Sequence, residues 1–247
     1  MTPTASTPDP RDTRLGRLAT PVYWYLVVAA GFLLAAAPGL VASALVAPVV
    51  SNVPLFALCA VPYGPAFSAA LYALRDGTRG EEQNPWPRYW RGWRLNVIDV
   101  LWVWVPVLAI GALIGIGIAF GPAVGVASVF IVISWIVLLF VALWTVFAII
   151  IASLFSFRAR DIFRLSLYYM AGRPLATLGF ASLLVLAVAV VFFASGWALA
   201  LLASAFAGLA LFTARPVTRD IRERFIAPDE ADARAPESPD APEAPED

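Results

Sequence analysis

Between Gly64 and Asp99 an otherwise greasy chain gathers three features able to do chemistry: a Gly-Pro break, arginines set among tryptophans, and a carboxylate. Gly64-Pro65 interrupts an apolar run, and Pro65 suits the first turn of a new helix. A helix amino end inside a membrane attracts anions or substrate oxygens, which makes Gly64 and Pro65 a candidate site. Further on, Trp86, Trp90 and Trp93 share one helical face, while Arg88, Arg91 and Arg94 spread over the other side. This pattern predicts a helix lying on the membrane surface, its indoles at headgroup level and its guanidiniums toward phosphate or water. Trp90, Arg91, Trp93 and Arg94 are then candidates for recognising an anionic lipid headgroup or an acidic partner. Asp99 is a carboxylate within an apolar run, and a charge inside a membrane is a functional candidate by default. Its structural alternative is an ion pair with an arginine of the segment 158–164.

The residue types that are missing narrow the chemistry. The chain has no His, which removes Ser-His-Asp, Cys-His and zinc-protease mechanisms. Its one cysteine, Cys59, lies in an apolar run, reads as a small buried hydrophobe and has no partner for an intramolecular disulfide. No catalytic residue, metal ligand or cofactor site is expected, and no nucleic-acid partner.

The elements that must position these residues follow from hydropathy. The 247-residue chain is 61% hydrophobic and 14% charged, with mean hydropathy +0.80. Soluble domains carry about 25% charged residues, so the class is integral membrane. Apolar runs cover roughly 22–46, 53–74, 97–120, 123–154, 175–193 and 197–214. The first far exceeds the ~7–15 apolar residues of a signal peptide and reads as a retained span. The second contains Pro54, Pro62 and Pro65 and is either one kinked span or a broken one ending in a short helix from Pro65 to Leu74. The fourth, as straight helix, would be about 48 Å long and must tilt or project. Residues 157–173 read as an amphipathic surface helix, with Gly172 as terminator and Pro174 opening the next helix.

All 17 basic residues are Arg, with no Lys. They fall before the first run, between the second and third, between the fourth and fifth, and after the sixth. The other connections carry no charge. Six spans with both termini inside put every Arg on the cytoplasmic side, as the positive-inside rule expects. The expected fold is an all-α polytopic helical membrane protein of about six transmembrane helices with cytoplasmic interfacial helices. Residues 1–20 are expected to form a disordered cytoplasmic N-terminus, 21–217 the helical membrane domain, and 218–247 an acidic Pro/Ala-rich disordered cytoplasmic tail.

The opening stretch resembles the YesL family of uncharacterised bacterial multi-pass membrane proteins. The resemblance rests on Gly64-Pro65-Ala66, Ala69-Ala70-Leu71-Tyr72, Arg79-Gly80-Glu81 and Tyr89-Trp90-Arg91-Gly92-Trp93-Arg94, with an echo at Arg173-Pro174-Leu175. It implies a location in the bacterial plasma membrane and a link to carbohydrate uptake or utilisation. The function expected from these features is a non-catalytic accessory or regulatory component of the lipid bilayer, with a transporter or other membrane protein as partner. The alternative is a small-solute transporter or channel using the broken helix near Pro62–Pro65.

Overall fold

Small residues dictate what lies at the centre. In a computed structural model, which describes residues 14–75, 84–155, 157 and 159–223, the short helix α3 (Tyr63–Leu74) is the hub of an all-α bundle. Nine of its twelve residues are buried: Gly64, Pro65, Ala66, Ser68, Ala69, Ala70, Leu71, Ala73 and Leu74. Its Ala, Gly and Ser side chains let α1 (Arg14–Leu45), α4 (Pro85–Phe120), α5 (Ser128–Leu154) and α9 (Ala203–Ile221) close around it. A helix of this length rises only about 18 Å, too short to span a membrane, and its burial spares it contact with lipid.

Helix α2 (Val53–Cys59) leads into α3 through a break at Ala60–Pro62, and the two helices bend by 41°. The predicted interruption of the second run is therefore real, and the new helix starts at Tyr63. Four other helices are long and apolar enough to cross a membrane: Thr20–Leu45, Pro85–Val124, Ser128–Leu154 and Pro174–Phe193. The bent pair makes five if counted as one span. The sixth predicted run is divided into α8 (Gly196–Leu201) and α9, and the last third of α9 carries Arg215, Arg219 and Asp220. Among the described residues there is no strand.

Two predicted segments have different shapes in the structure. The Trp/Arg stretch is not a separate surface helix but the first third of α4, a single 36-residue helix about 54 Å long. Pro85 occupies its first turn, and the Asn84 side chain caps it by accepting from the Trp86 N–H at 3.1 Å. Pro87 falls in the first turn, where its missing N–H breaks no bond, and Gly92 alone does not end a helix, so that helix runs on. The fourth run is shortened instead. A 3-10 turn at Gly121–Val124 and Gly125 at φ 78° reverse the chain, so α5 has 27 residues. Glycine is the residue able to take that left-handed conformation at no steric cost.

Helix α6 (Ala159–Gly172) is amphipathic as expected, burying Ile162, Ser166 and Tyr169 on one face. It ends at Gly172, and α7 (Pro174–Phe193) opens on Pro174, as the sequence predicts. Helix α1 begins at Arg14 and α9 continues to Ile221, so helix reaches into both segments predicted to be disordered. The rest of those segments, 1–13 and 224–247, lies outside the described residues, as do Arg79, Gly80, Glu81 and Arg158.

Candidate intramembrane cavity

The break before α3 is held by an aromatic latch. The Trp104 indole N–H of α4 donates to the Ala60 carbonyl at 2.9 Å, a second bond to a group that also accepts from the Tyr63 N–H at 3.1 Å. The same indole lies flat against Gly64, where an added Cβ would come within 2.6 Å of Trp104 Cδ1. Gly39 of α1 closes the other side, tight against the Cys59 carbonyl, Pro62 and Tyr63. Three further glycines seat aromatic rings in the same way: Gly31 under Tyr89, Gly92 under Tyr72 and Gly208 under Tyr25. Tyr89, fully buried, also donates to the Ala66 carbonyl at 3.0 Å.

Below the break, a polar layer ties three helices together. Ser153 Oγ of α5 lies 2.7 Å from Ser68 Oγ of α3. The Asn96 side-chain amide of α4 donates to the Ser153 carbonyl at 3.1 Å and to Ser68 Oγ at 3.4 Å. Arg88 and Gly92 share this inner face of α4 with Asn96 at four-residue spacing. Arg88 is 1% exposed, donates to the Arg75 carbonyl at 3.3 Å, and holds its guanidinium 5.6 Å from the Trp24 ring. The expectation that Arg88 faces water is thus overturned: Gly92 lets Tyr72 approach, and that contact turns Arg88 inward.

On the other side of the latch lies a cavity of about 850 Å³ between α1, α2, α3, α4, α5, α7, α8 and α9. Tyr63, Gly64, Phe67 and Trp104 form the wall nearest the break, with Phe32, Leu40, Ile149, Phe180, Leu183 and Ala203 among the others. No Asp, Glu, Lys or Arg lines it. Three of its polar side chains are turned back on main-chain carbonyls. Ser43 Oγ donates to Leu40 O at 2.9 Å, Thr145 Oγ1 to Val141 O at 2.6 Å, and the Trp104 N–H to Ala60 O. Apart from the Tyr63 hydroxyl and the Trp197 indole N–H, the remaining side chains of the wall are hydrocarbon and aromatic ring.

The other predicted site residues lie elsewhere. Pro65 is buried in the first turn of α3, next to Gly64. Trp90 and Trp93 are half-buried and meet edge to face, with Trp86 extending the row. Arg91 and Arg94 are exposed on the outside of α4. Asp99 is exposed as well, and among the described residues it forms no ion pair, so the predicted link to Arg160 or Arg164 is not made. The structure gives the reason. The twenty residues from Leu101 to Phe120 already reach about 30 Å as helix, so Asp99 falls at the edge of a bilayer-spanning segment rather than within it.

Sequence reasoning passed over the Ser68–Asn96–Ser153 layer and the role of Trp104 as a latch. The four-residue spacing of Arg88, Gly92 and Asn96 was the available signal. Trp102 and Trp135, by contrast, are 71% and 57% exposed on outer faces, as membrane-facing anchors would be. Small residues at four-residue spacing, Ala200, Ser204 and Gly208, pack inward along α8 and α9, whereas on α4 a side chain at Gly111 would meet open space. No group of His, Cys, Asp or Glu among the described residues could hold a metal ion. No protein-family model, curated protein or solved structure matches the chain. The YesL resemblance gains no support from these comparisons.

Proposed function

We propose that this protein is a non-catalytic membrane component that holds an apolar molecule, a lipid acyl chain or one of similar chemistry, inside its helical bundle. The observation that carries this reading is the uncharged wall of the 850 Å³ cavity. The space opens at its mouth rather than being sealed, so whatever surrounds it can enter, and its wall selects the occupant. Water is a poor one where the wall offers few hydrogen-bond partners. An apolar chain gains little hydrophobic free energy by leaving lipid, so shape and dispersion contacts would select it.

The accessory or regulatory role follows from the absence of any assembled acid–base or nucleophilic group in this wall, together with the arginine-rich face opposite. The topology that suits this reading has six spans, counting α2–α3 as one and α8–α9 as another, in a bacterial plasma membrane with both termini cytoplasmic. The tie to carbohydrate uptake rests on the YesL resemblance alone. An uncharged wall is ill suited to a sugar, so such a role would run through a partner transporter. The competing transporter reading draws on the break at Ala60–Pro62, whose Tyr63 and Gly64 border the cavity. Photolabelling the full chain in vesicles with a diazirine-bearing fatty acyl lipid tests the proposal. Labels concentrated on peptides containing Tyr63, Trp104 or Thr145 support it, and labels confined to outward faces such as Phe130 or Phe192 refute it. Solute flux in the same vesicles, lost in a Pro65→Ala variant, would favour the transporter.

A further inference from the structure

A second pocket, distinct from the cavity, opens where α7 meets α9. It measures about 410 Å³ and is lined by Arg173, Arg215, Pro216, Arg219, Asp220 and Glu223. Its framework is built rather than incidental. Asp220, with a side chain only 14% exposed, accepts from Arg173 Nη2 at 2.9 Å and from the Tyr169 hydroxyl at 2.8 Å. These bonds fix the Arg173 guanidinium at the amino end of α7, where the first main-chain N–H groups and the helix dipole also favour an anion. Three arginines against two carboxylates leave the pocket one unit positive.

The surface beside the pocket names the kind of anion. Arg215 lies 5.0 Å over the Phe212 ring, and Phe212 is 64% exposed one turn toward the apolar end of α9. On α7, Leu175 and Leu178 are 85% and 64% exposed immediately after Arg173. Arginines therefore give way, within a single turn on both helices, to outward hydrocarbon. That juxtaposition matches a phospholipid, with phosphate at the guanidiniums and acyl chains along Leu175, Leu178 and Phe212. We infer that the α7–α9 seam is a binding site for the headgroup of an anionic phospholipid, independent of whatever fills the cavity.

Guanidinium–phosphate recognition alone would also suit free phosphate, but the adjoining hydrocarbon commits the site to a lipid. Native mass spectrometry of the full chain, released from detergent with added phosphatidylglycerol or phosphatidylcholine, tests this. One retained phosphatidylglycerol per chain is expected, with at least tenfold weaker retention in R215Q/R219Q. The control R160Q/R164Q removes the same charge from exposed positions on α6 and should retain phosphatidylglycerol as the native chain does. The single variant R219Q, altered at a side chain 82% exposed, tests the site with minimal risk to folding and should weaken retention severalfold. Equal retention of both lipids, or equal loss in the two double variants, would overturn the inference. So would inorganic phosphate displacing the lipid at millimolar concentration.

Discussion

Trp104 and Gly64 meet across the bend that separates α2 from α3, the indole lying where any side chain at position 64 would stand. The indole N–H bonds the Ala60 carbonyl in the same stroke. One residue thus fills the space beside the break and adds a second donor to a carbonyl that also accepts from the Tyr63 N–H. The bend is held from outside by α4 rather than by the prolines alone.

This relationship makes Gly64→Ala costly. A methyl group 2.6 Å from Trp104 Cδ1 must push the indole off its seat and off Ala60. Destabilisation of about 1–3 kcal/mol is expected from overpacking. Thermal unfolding in detergent, followed by tryptophan fluorescence, measures it. Because the two residues touch, the cost in a Trp104→Leu background should be at least halved. Full additivity would show that the latch is not the source of the damage.

The Ser68–Asn96–Ser153 layer should contribute modestly despite its burial. Interhelical hydrogen bonds within membranes average about 0.6 kcal/mol each. Replacing Asn96 with Leu removes two such bonds and leaves Ser68 and Ser153 with each other, so a loss of about 1–2 kcal/mol is expected. Urea-resistant membrane proteins are poorly served by denaturant titration, and steric-trap or thermal unfolding is the suitable readout. A loss above about 4 kcal/mol would mean that Asn96 has a role beyond these bonds.

Two carboxylates should respond to different degrees to loss of charge. Asp99→Asn is expected to shift stability by less than about 0.5 kcal/mol, as for surface changes away from any network. Asp220→Asn breaks the geometry that orients Arg173 and Tyr169, and should cost about 1 kcal/mol, since Arg173 is partly exposed and solvent screens the pair. Melting temperatures of the two variants side by side decide the matter. The reverse ranking would place the ion pair predicted for Asp99 back in contention.

The sequence made the helical class and most helix ends legible because long apolar runs and Gly-Pro punctuation act locally. Gly172 and Pro174 each mark a boundary that the structure keeps, whereas the turn at Gly125 interrupts a run read as continuous. What it hid was which face turns inward. Trp86, Trp90 and Trp93 form the louder pattern, yet the inner face of α4 is Arg88, Tyr89, Gly92 and Asn96. Tight seats such as Gly92 against Tyr72, or Gly31 against Tyr89, decide that choice, and they join residues 20 and 58 positions apart in the chain. The cavity was equally invisible, since its wall comes from eight helices and its character lies in the charges it omits. Gly64 alone marked its edge.

The most direct measurement fills the cavity from within. Ala142 of α5 and Ala187 of α7 both line it, and A142F/A187F would set two hydrocarbon rings in the space an acyl chain needs. The number of apolar chains that copurify with the native protein and with this variant can be counted by mass spectrometry. At least one chain per native protein, lost in the variant while its melting temperature is kept or raised, is the predicted result. Equal lipid content in the two, with the variant folded, would contradict an occupied cavity and remove the basis for the proposed function.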